Sequence, residues 1–177
     1  MMQDLSHAIS AFTLGHSPDD RGRKIEQIWA FSDEQLENIH NYIQWLFPLR
    51  EPSRYNRAAP ILDEETIGEF LADGELRRRL LISFKLMLKF YGFHLLEDGG
   101  TVEVVKATDY PAKKDAWQTY SNHNYLRITR ILTSLNLLGL AAYSQAFLDC
   151  LEIVYAEDSS RIGAATMQYW RSTRLND

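Results

Sequence analysis

Apolar and polar positions follow a helical period along most of this chain. Ser32 stands where an N-cap is needed, with Gln35 three residues on in capping-box spacing. Leu36, Ile39, Ile43 and Leu46 then recur at intervals of three and four until Pro48. The spacing predicts one helix from Ser32 to the proline stop, with a single buried stripe. Residues 48–60 hold Pro48, Pro52 and Pro60 together with Arg50, Arg54 and Arg57, which predicts a stiff, extended loop. Asp63-Glu64-Glu65 sets acids in the first turn of a second helix, whose buried side is Ile67, Phe70 and Leu71. A third helix is expected from Gly74 to Tyr91. It turns Leu76, Leu80, Phe84, Met87, Leu88 and Tyr91 inward, with Gly92 just past its end.

The period changes after Gly92. Between Phe93 and Val105 an Asp98-Gly99 turn separates two short apolar segments, which reads as a small hairpin or an extended loop. Helical spacing returns after Ser121 or Asn122 with Leu126, Ile128, Ile131, Leu132, Leu135 and Leu138, and stops at Gly139. Two more helices are expected, over Ala141 to Ala156 and from about Ser160 to Arg171. Residues 1–24 end in Asp19-Asp20-Arg21-Gly22-Arg23-Lys24 and read as a mobile N-terminal arm, leaving 25–177 as the folded domain. The fold class expected is all-α: a compact single-domain bundle of about five to seven helices, with a β-hairpin near 93–105 as its one strand candidate.

Composition narrows the function classes. With 177 residues, 45% of them apolar and 24% charged, the chain can bury a sizeable core. A net charge of −5 argues against a broad footprint for nucleic acid or anionic lipid. The lone cysteine, Cys150, fits a reducing, cytoplasmic setting, and Met1 to Ser10 lack the basic start and apolar core of a signal peptide. The richest apolar run, Leu80 to Phe93, holds Lys85 and Lys89, so no membrane span is expected.

Candidate chemistry is sparse. The five histidines, at 7, 16, 40, 94 and 123, show no metal-ligand spacing, and neither a metal nor a cofactor is expected. Cys150 lies in an apolar helix beside Asp149, which makes it a packing residue. Arg77-Arg78-Arg79 reads as a solvated face. His123, Arg127, Arg130 and Ser134 fall at i, i+4, i+7 and i+11, a polar stripe whose arginines suit a carboxylate or phosphate. Glu37, His40 and Gln44 share the first helix, with Arg50 and Glu51 past its end. The candidate ligand-binding set is His40, Gln44, Trp45, Arg50, Trp117, His123, Arg127 and Arg130, with Trp117 and Tyr120 in a loop-like stretch where aromatics close pockets. The competing reading pairs the same arginines with acids at the rim of a core.

Three segments carry a resemblance. His40-Asn41-Tyr42-Ile43-Gln44-Trp45-Leu46-Phe47-Pro48-Leu49-Arg50-Glu51-Pro52 looks like the signature of the opioid growth factor receptor family. Phe90-Tyr91-Gly92 resembles a second landmark. Asn122-His123-Asn124-Tyr125-Leu126-Arg127-Ile128-Thr129-Arg130-Ile131-Leu132 is similar to a third, so the match spans about residues 26–140. The resemblance implies the family's globular fold and no assigned site. In that family the animal receptor is described as binding the pentapeptide enkephalin and restraining proliferation from the nucleus. This sequence ends at Asp177 after the globular stretch and carries no bipartite basic segment, so the part carried over is the binding role.

The reading is a non-enzymatic binding module for a peptide or small anionic ligand. The alternative is an interaction or scaffold domain with a protein partner, in which the Arg/His stripe is structural and a surface helix, 141–156 or 160–171, offers a flat apolar patch. A hydrolase-like enzyme, which would need His40 and His123 near a carboxylate, ranks third. Ligand identity and oligomeric state stay open.

Overall fold

The structure is a computed structural model and describes residues 7–175. Packing divides the chain into two compact units, Met1–Ser83 and Phe84–Asp177, and the division falls inside one long helix.

The first unit holds α1 (Ala8–Thr13), α2 (Ile25–Trp29), α3 (Asp33–Asn38), α4 (Ile43–Leu46), α5 (Glu64–Ala72) and the start of α6 (Gly74–Tyr91). The mobile arm expected over 1–24 is corrected across its described part. Phe12 is fully buried and Ile9 nearly so, and α1 packs on α4 and α5. Burying two such side chains stabilises a short helix by several kcal/mol, on the order of 2–3 each. A six-residue helix does not stand on propensity alone.

The single helix expected from Ser32 to Pro48 is two. Ser32 caps α3 as read, accepting from Gln35 N at 3.2 Å while Gln35 Oε1 accepts from Ser32 N at 2.9 Å. The chain then turns extended at Ile39. Every residue from Tyr42 to Pro48 is buried, which a one-sided amphipathic helix does not allow. Breaking the helix lets Tyr42 turn inward, where its hydroxyl donates to Leu36 O at 2.8 Å. α5 begins where expected, with Asp63 accepting from Thr66 N at 2.8 Å, but Leu71 faces solvent.

The second unit takes up α6 and adds β1 (Phe93–Asp98), β2 (Thr101–Lys106), α7 (Tyr110–Trp117), α8 (Asn124–Leu137), α9 (Ala141–Glu157), α10 (Ser159–Ile162) and α11 (Ala164–Arg171). α6 has the expected bounds. The hairpin is present: β1 and β2 pair antiparallel, with Asp98 opposite Thr101 across Gly99 and Gly100, both at positive φ. Gly92 also has positive φ (89°), and a Cβ there would lie 2.8 Å from Tyr110 Cα, so helix reversal and close packing both require glycine. α9 packs on β2 and α8, and α11 on α8 and α9. Phe93 joins this core, with ring centroids 5.8 Å from Phe147 and 5.9 Å from Trp117.

The described residues form eleven helices, above the five to seven expected. Two expected helices are each split, the later one at Gly163 (φ 83°), and α1, α2 and α7 lie in stretches too short for a clear period. No helix among the described residues is long and apolar enough to cross a membrane.

Candidate functional site

In the first unit the candidate Trp45 joins a partly buried polar network. Trp45 is 5% exposed, and its indole N–H donates to the Asp20 carboxylate. Asn56 Nδ2 donates to Asp20 Oδ1 and to Asn41 O, each at 3.1 Å. Arg23 reaches the same Asn41 carbonyl at 3.3 Å while its guanidinium pairs with Asp19 at 2.6 Å. Asp19 also accepts from the main-chain N–H of Arg21 and Arg23, each at 2.9 Å. The run Asp19-Asp20-Arg21-Gly22-Arg23 thus ties residues 41–56 in place. Gln44 is buried and donates to His40 O at 3.1 Å, while its Oε1 and Asn41 Oδ1 have no hydrogen-bond partner among the described residues. His40 and Arg50 are exposed, and Arg50 pairs with Glu64 at 2.7 Å. Sequence reasoning missed Asp19, Asp20 and Asn56; the doubled acid next to Arg-Gly-Arg was the available signal.

The Arg77-Arg78-Arg79 triplet is engaged in three ways. Arg77 donates to Phe70 O and Leu71 O at 2.6 Å, closing the end of α5. Arg78 pairs with Glu75 at 2.7 Å, and Arg79 pairs with Glu26 while lying 4.7 Å over the Trp29 ring.

In the second unit Trp117 is 1% exposed and closes α7, not a loop; its indole donates to Tyr91 O at 3.0 Å. Tyr120, three residues on, is 89% exposed. Asn122 organises the entry to α8, with Oδ1 accepting from Asn124 N and Nδ2 donating to Thr119 Oγ1, each at 2.9 Å. Asn124 is fully buried and central: its Oδ1 accepts from Tyr91 OH at 3.2 Å and Arg127 Nη1 at 3.3 Å. The polar stripe of α8 therefore has two parts. Arg127 and Ser134 are buried, whereas His123 is exposed and Arg130 half-buried. Leu126, 60% exposed, falls between these last two, giving an outward row at i, i+3 and i+7. Asn124 was missed because a capping asparagine and a core asparagine look alike in one sequence.

Acid–base and nucleophilic groups are muted. Burial pushes the Cys150 thiol up to about 12, so it stays protonated at neutral pH. Burial likewise raises Tyr125 and Tyr143 to about 12, the latter helped by its hydrogen bond to Glu97. Among the described residues no group of three or more His, Cys, Asp or Glu side chains is placed to hold a metal ion.

Comparison with known proteins points one way. The family model described as the opioid growth factor receptor conserved region matches residues 13–176, starting inside α1 and running past α11. The opioid growth factor receptor of Rattus norvegicus is 47% identical over 119 residues, covering 67% of this chain and 20% of that protein. Its Homo sapiens counterpart is 46% identical over 116 residues, 66% of this chain and 17% of that one. The opioid growth factor receptor-like protein 1 of Mus musculus is 41% identical over 131 residues, 69% and 26% respectively. The chain thus spans about a quarter or less of these relatives' length. No solved structure matches it. Since the family match covers both units, the Asp20–Trp45 network and the Asn124 hub alike, the chain belongs to the opioid growth factor receptor family.

Proposed function

We propose that this domain is a non-enzymatic binding module for a peptide or small anionic ligand, met by the outward row His123, Leu126 and Arg130 of α8. The observation that carries the reading is the division of the α8 stripe. Arg127 is buried against Asn124, whereas His123 and Arg130 lie on the row that Leu126 shares. With Tyr120 close by in the chain, the row sets an imidazole and a guanidinium beside exposed apolar area, a composition that suits an aromatic side chain and a carboxylate together. Of the other candidate residues, Trp117 and Arg127 act as supports for this row. His40, Gln44, Trp45 and Arg50 form a separate candidate surface on the first unit, with His40 and Arg50 as its exposed members. The relatives' printed name, receptor, agrees with ligand binding. Growth-factor binding and a cytoplasmic setting enter on the same terms, as proposals for this chain.

Calorimetric titration with short aromatic peptides, with a free and with an amidated C-terminus, tests the reading. Micromolar binding by the free-acid form, weakened about tenfold by His123→Ala or Arg130→Ala in folded protein, is expected; tenfold corresponds to about 1.4 kcal/mol. Binding indifferent to both substitutions, or none across the panel, overturns it.

One feature favours the scaffold reading. Ile153 on α9 and Tyr169 on α11 are 57% and 68% exposed, apolar area on the two helices expected to offer a protein-facing patch. Self-association or partner capture lost in Ile153→Asp, with peptide binding silent, would move the function there.

A further inference from the structure

The hairpin offers a second surface, independent of α8. Ala107 N donates to Gly92 O at 2.9 Å, which makes the pair 92–107 a hydrogen-bonded one. By the alternation of antiparallel pairing, 94–105, 96–103 and 98–101 are hydrogen-bonded as well. The main-chain N–H and C=O groups of Leu95 and Glu97 therefore point away from β2. Among the described residues no main-chain hydrogen bond occupies them, so no strand pairs with the outer edge of β1. Edges of this kind are templates for a further strand.

A groove of about 360 Å³ is lined by Lys85, Leu88 and Lys89 of α6, by Phe93, His94 and Leu95 of β1, and by Ala107 and Asp109 just past β2. Three consecutive strand residues point to alternate faces, so a groove lined by all three reaches the strand's edge. Leu88 and Phe93, 2% and 3% exposed, supply an apolar floor. The acids nearby are engaged: Glu97 accepts from Lys85 Nζ at 3.1 Å and Tyr143 OH at 2.7 Å, and Asp109 pairs with Lys113 at 3.3 Å. Lys89 and His94 are exposed, and neither forms an ion pair with an acid among the described residues.

We propose that the outer edge of β1 and the Lys85–Lys89–His94 groove bind an extended acidic peptide segment of a partner protein by strand addition. The peptide's main chain pairs with Leu95 and Glu97, its apolar side chain covers Leu88 and Phe93, and its carboxylates meet Lys89 and His94. The site shares no residue with the α8 row, so either surface stands or falls alone.

The test uses an acetylated, amidated pentapeptide of alternating Val and Glu, which carries no terminal carboxylate. The expected result is slowed hydrogen exchange and shifted amide resonances at Leu95 and Glu97 in the ¹⁵N-labelled full chain, with affinity falling steeply as salt rises. Lys89→Glu, at an exposed site that keeps the fold, is expected to weaken binding at least tenfold, and a Val-Lys peptide is expected not to bind. Absence of change at Leu95 and Glu97 under millimolar peptide overturns the proposal. So does a response confined to Tyr120–Arg130, which would place the peptide on α8, and so does binding unaffected by Lys89→Glu.

Discussion

Asp20 accepts the indole N–H of Trp45, twenty-five residues further along the chain, and the same carboxylate oxygen accepts from Asn56 Nδ2 at 3.1 Å. One acid thereby joins the stretch after α1 to the most recognisable segment of the protein. Asp20→Ala leaves a buried indole N–H without its acceptor and takes one of two acceptors from the Asn56 amide, at a cost of about 1–3 kcal/mol. A melting temperature lower by several degrees is expected, together with a shift of tryptophan emission. An unchanged melting curve would show that water replaces the carboxylate at no cost.

Gly92 and Gly99 both have positive φ but differ in surroundings. A Cβ at Gly92 would meet Tyr110 Cα at 2.8 Å, while nothing lies within 4 Å at Gly99. The left-handed backbone costs roughly 1–2 kcal/mol for alanine at either site. Gly92→Ala is expected to add a main-chain clash and to destabilise clearly more than Gly99→Ala. Chemical denaturation of the pair decides it, and equal losses would contradict the packing described at α7.

Hydrogen bonds from Thr66 hold the Asp63 carboxyl below its ordinary 3.8, and the hydrogen bonds from Tyr143 and Lys85 hold Glu97 below 4.5. A depressed carboxylate contributes stability that is present above its unfolded value and is lost as pH falls through the folded one. Stability is therefore expected to decline on acidification below about 4.5. Asp63→Asn keeps a capping oxygen without a titrating group. It should stay close to the parent at pH 7 and lose less on acidification; a parallel decline in both proteins would remove Asp63 from the account.

Cys150 is 3% exposed, and burial keeps its thiol protonated. A disulfide reagent such as dithionitrobenzoate is expected to leave the native chain unmodified for hours and to react stoichiometrically once denaturant is added. Prompt reaction of folded protein would mean that α9 opens far more readily than its packing suggests.

Long, periodic segments were legible in the sequence. The bounds of α6, the acidic opening of α5 and the Gly92 stop follow from local spacing and backbone preference, while Asp63 is the cap of α5 rather than part of its first turn and the hairpin turns at Gly99-Gly100, one residue beyond the expected Asp98-Gly99. These are one-residue or one-turn effects, complete within the segment that carries them. The candidate residues were legible as a set of types, not as a set of environments. A stripe at i, i+4 and i+7 names His123, Arg127 and Arg130 but does not say that Arg127 turns to Asn124 while Leu126 turns to solvent.

The amino-acid order alone determined the helical class, the family, and the places where the chain must turn, because propensity, period and positive-φ glycines act locally. Tertiary structure decided the rest. The Ser32–Pro48 stretch breaks because every residue from Tyr42 to Pro48 finds burial, and the segment around Phe12 folds because a core receives it. Trp45 and Trp117 lie inside because a carboxylate and a carbonyl, distant in sequence, accept their N–H groups. Burial and hydrogen-bond satisfaction depend on partners dozens of residues away, and no local period encodes them.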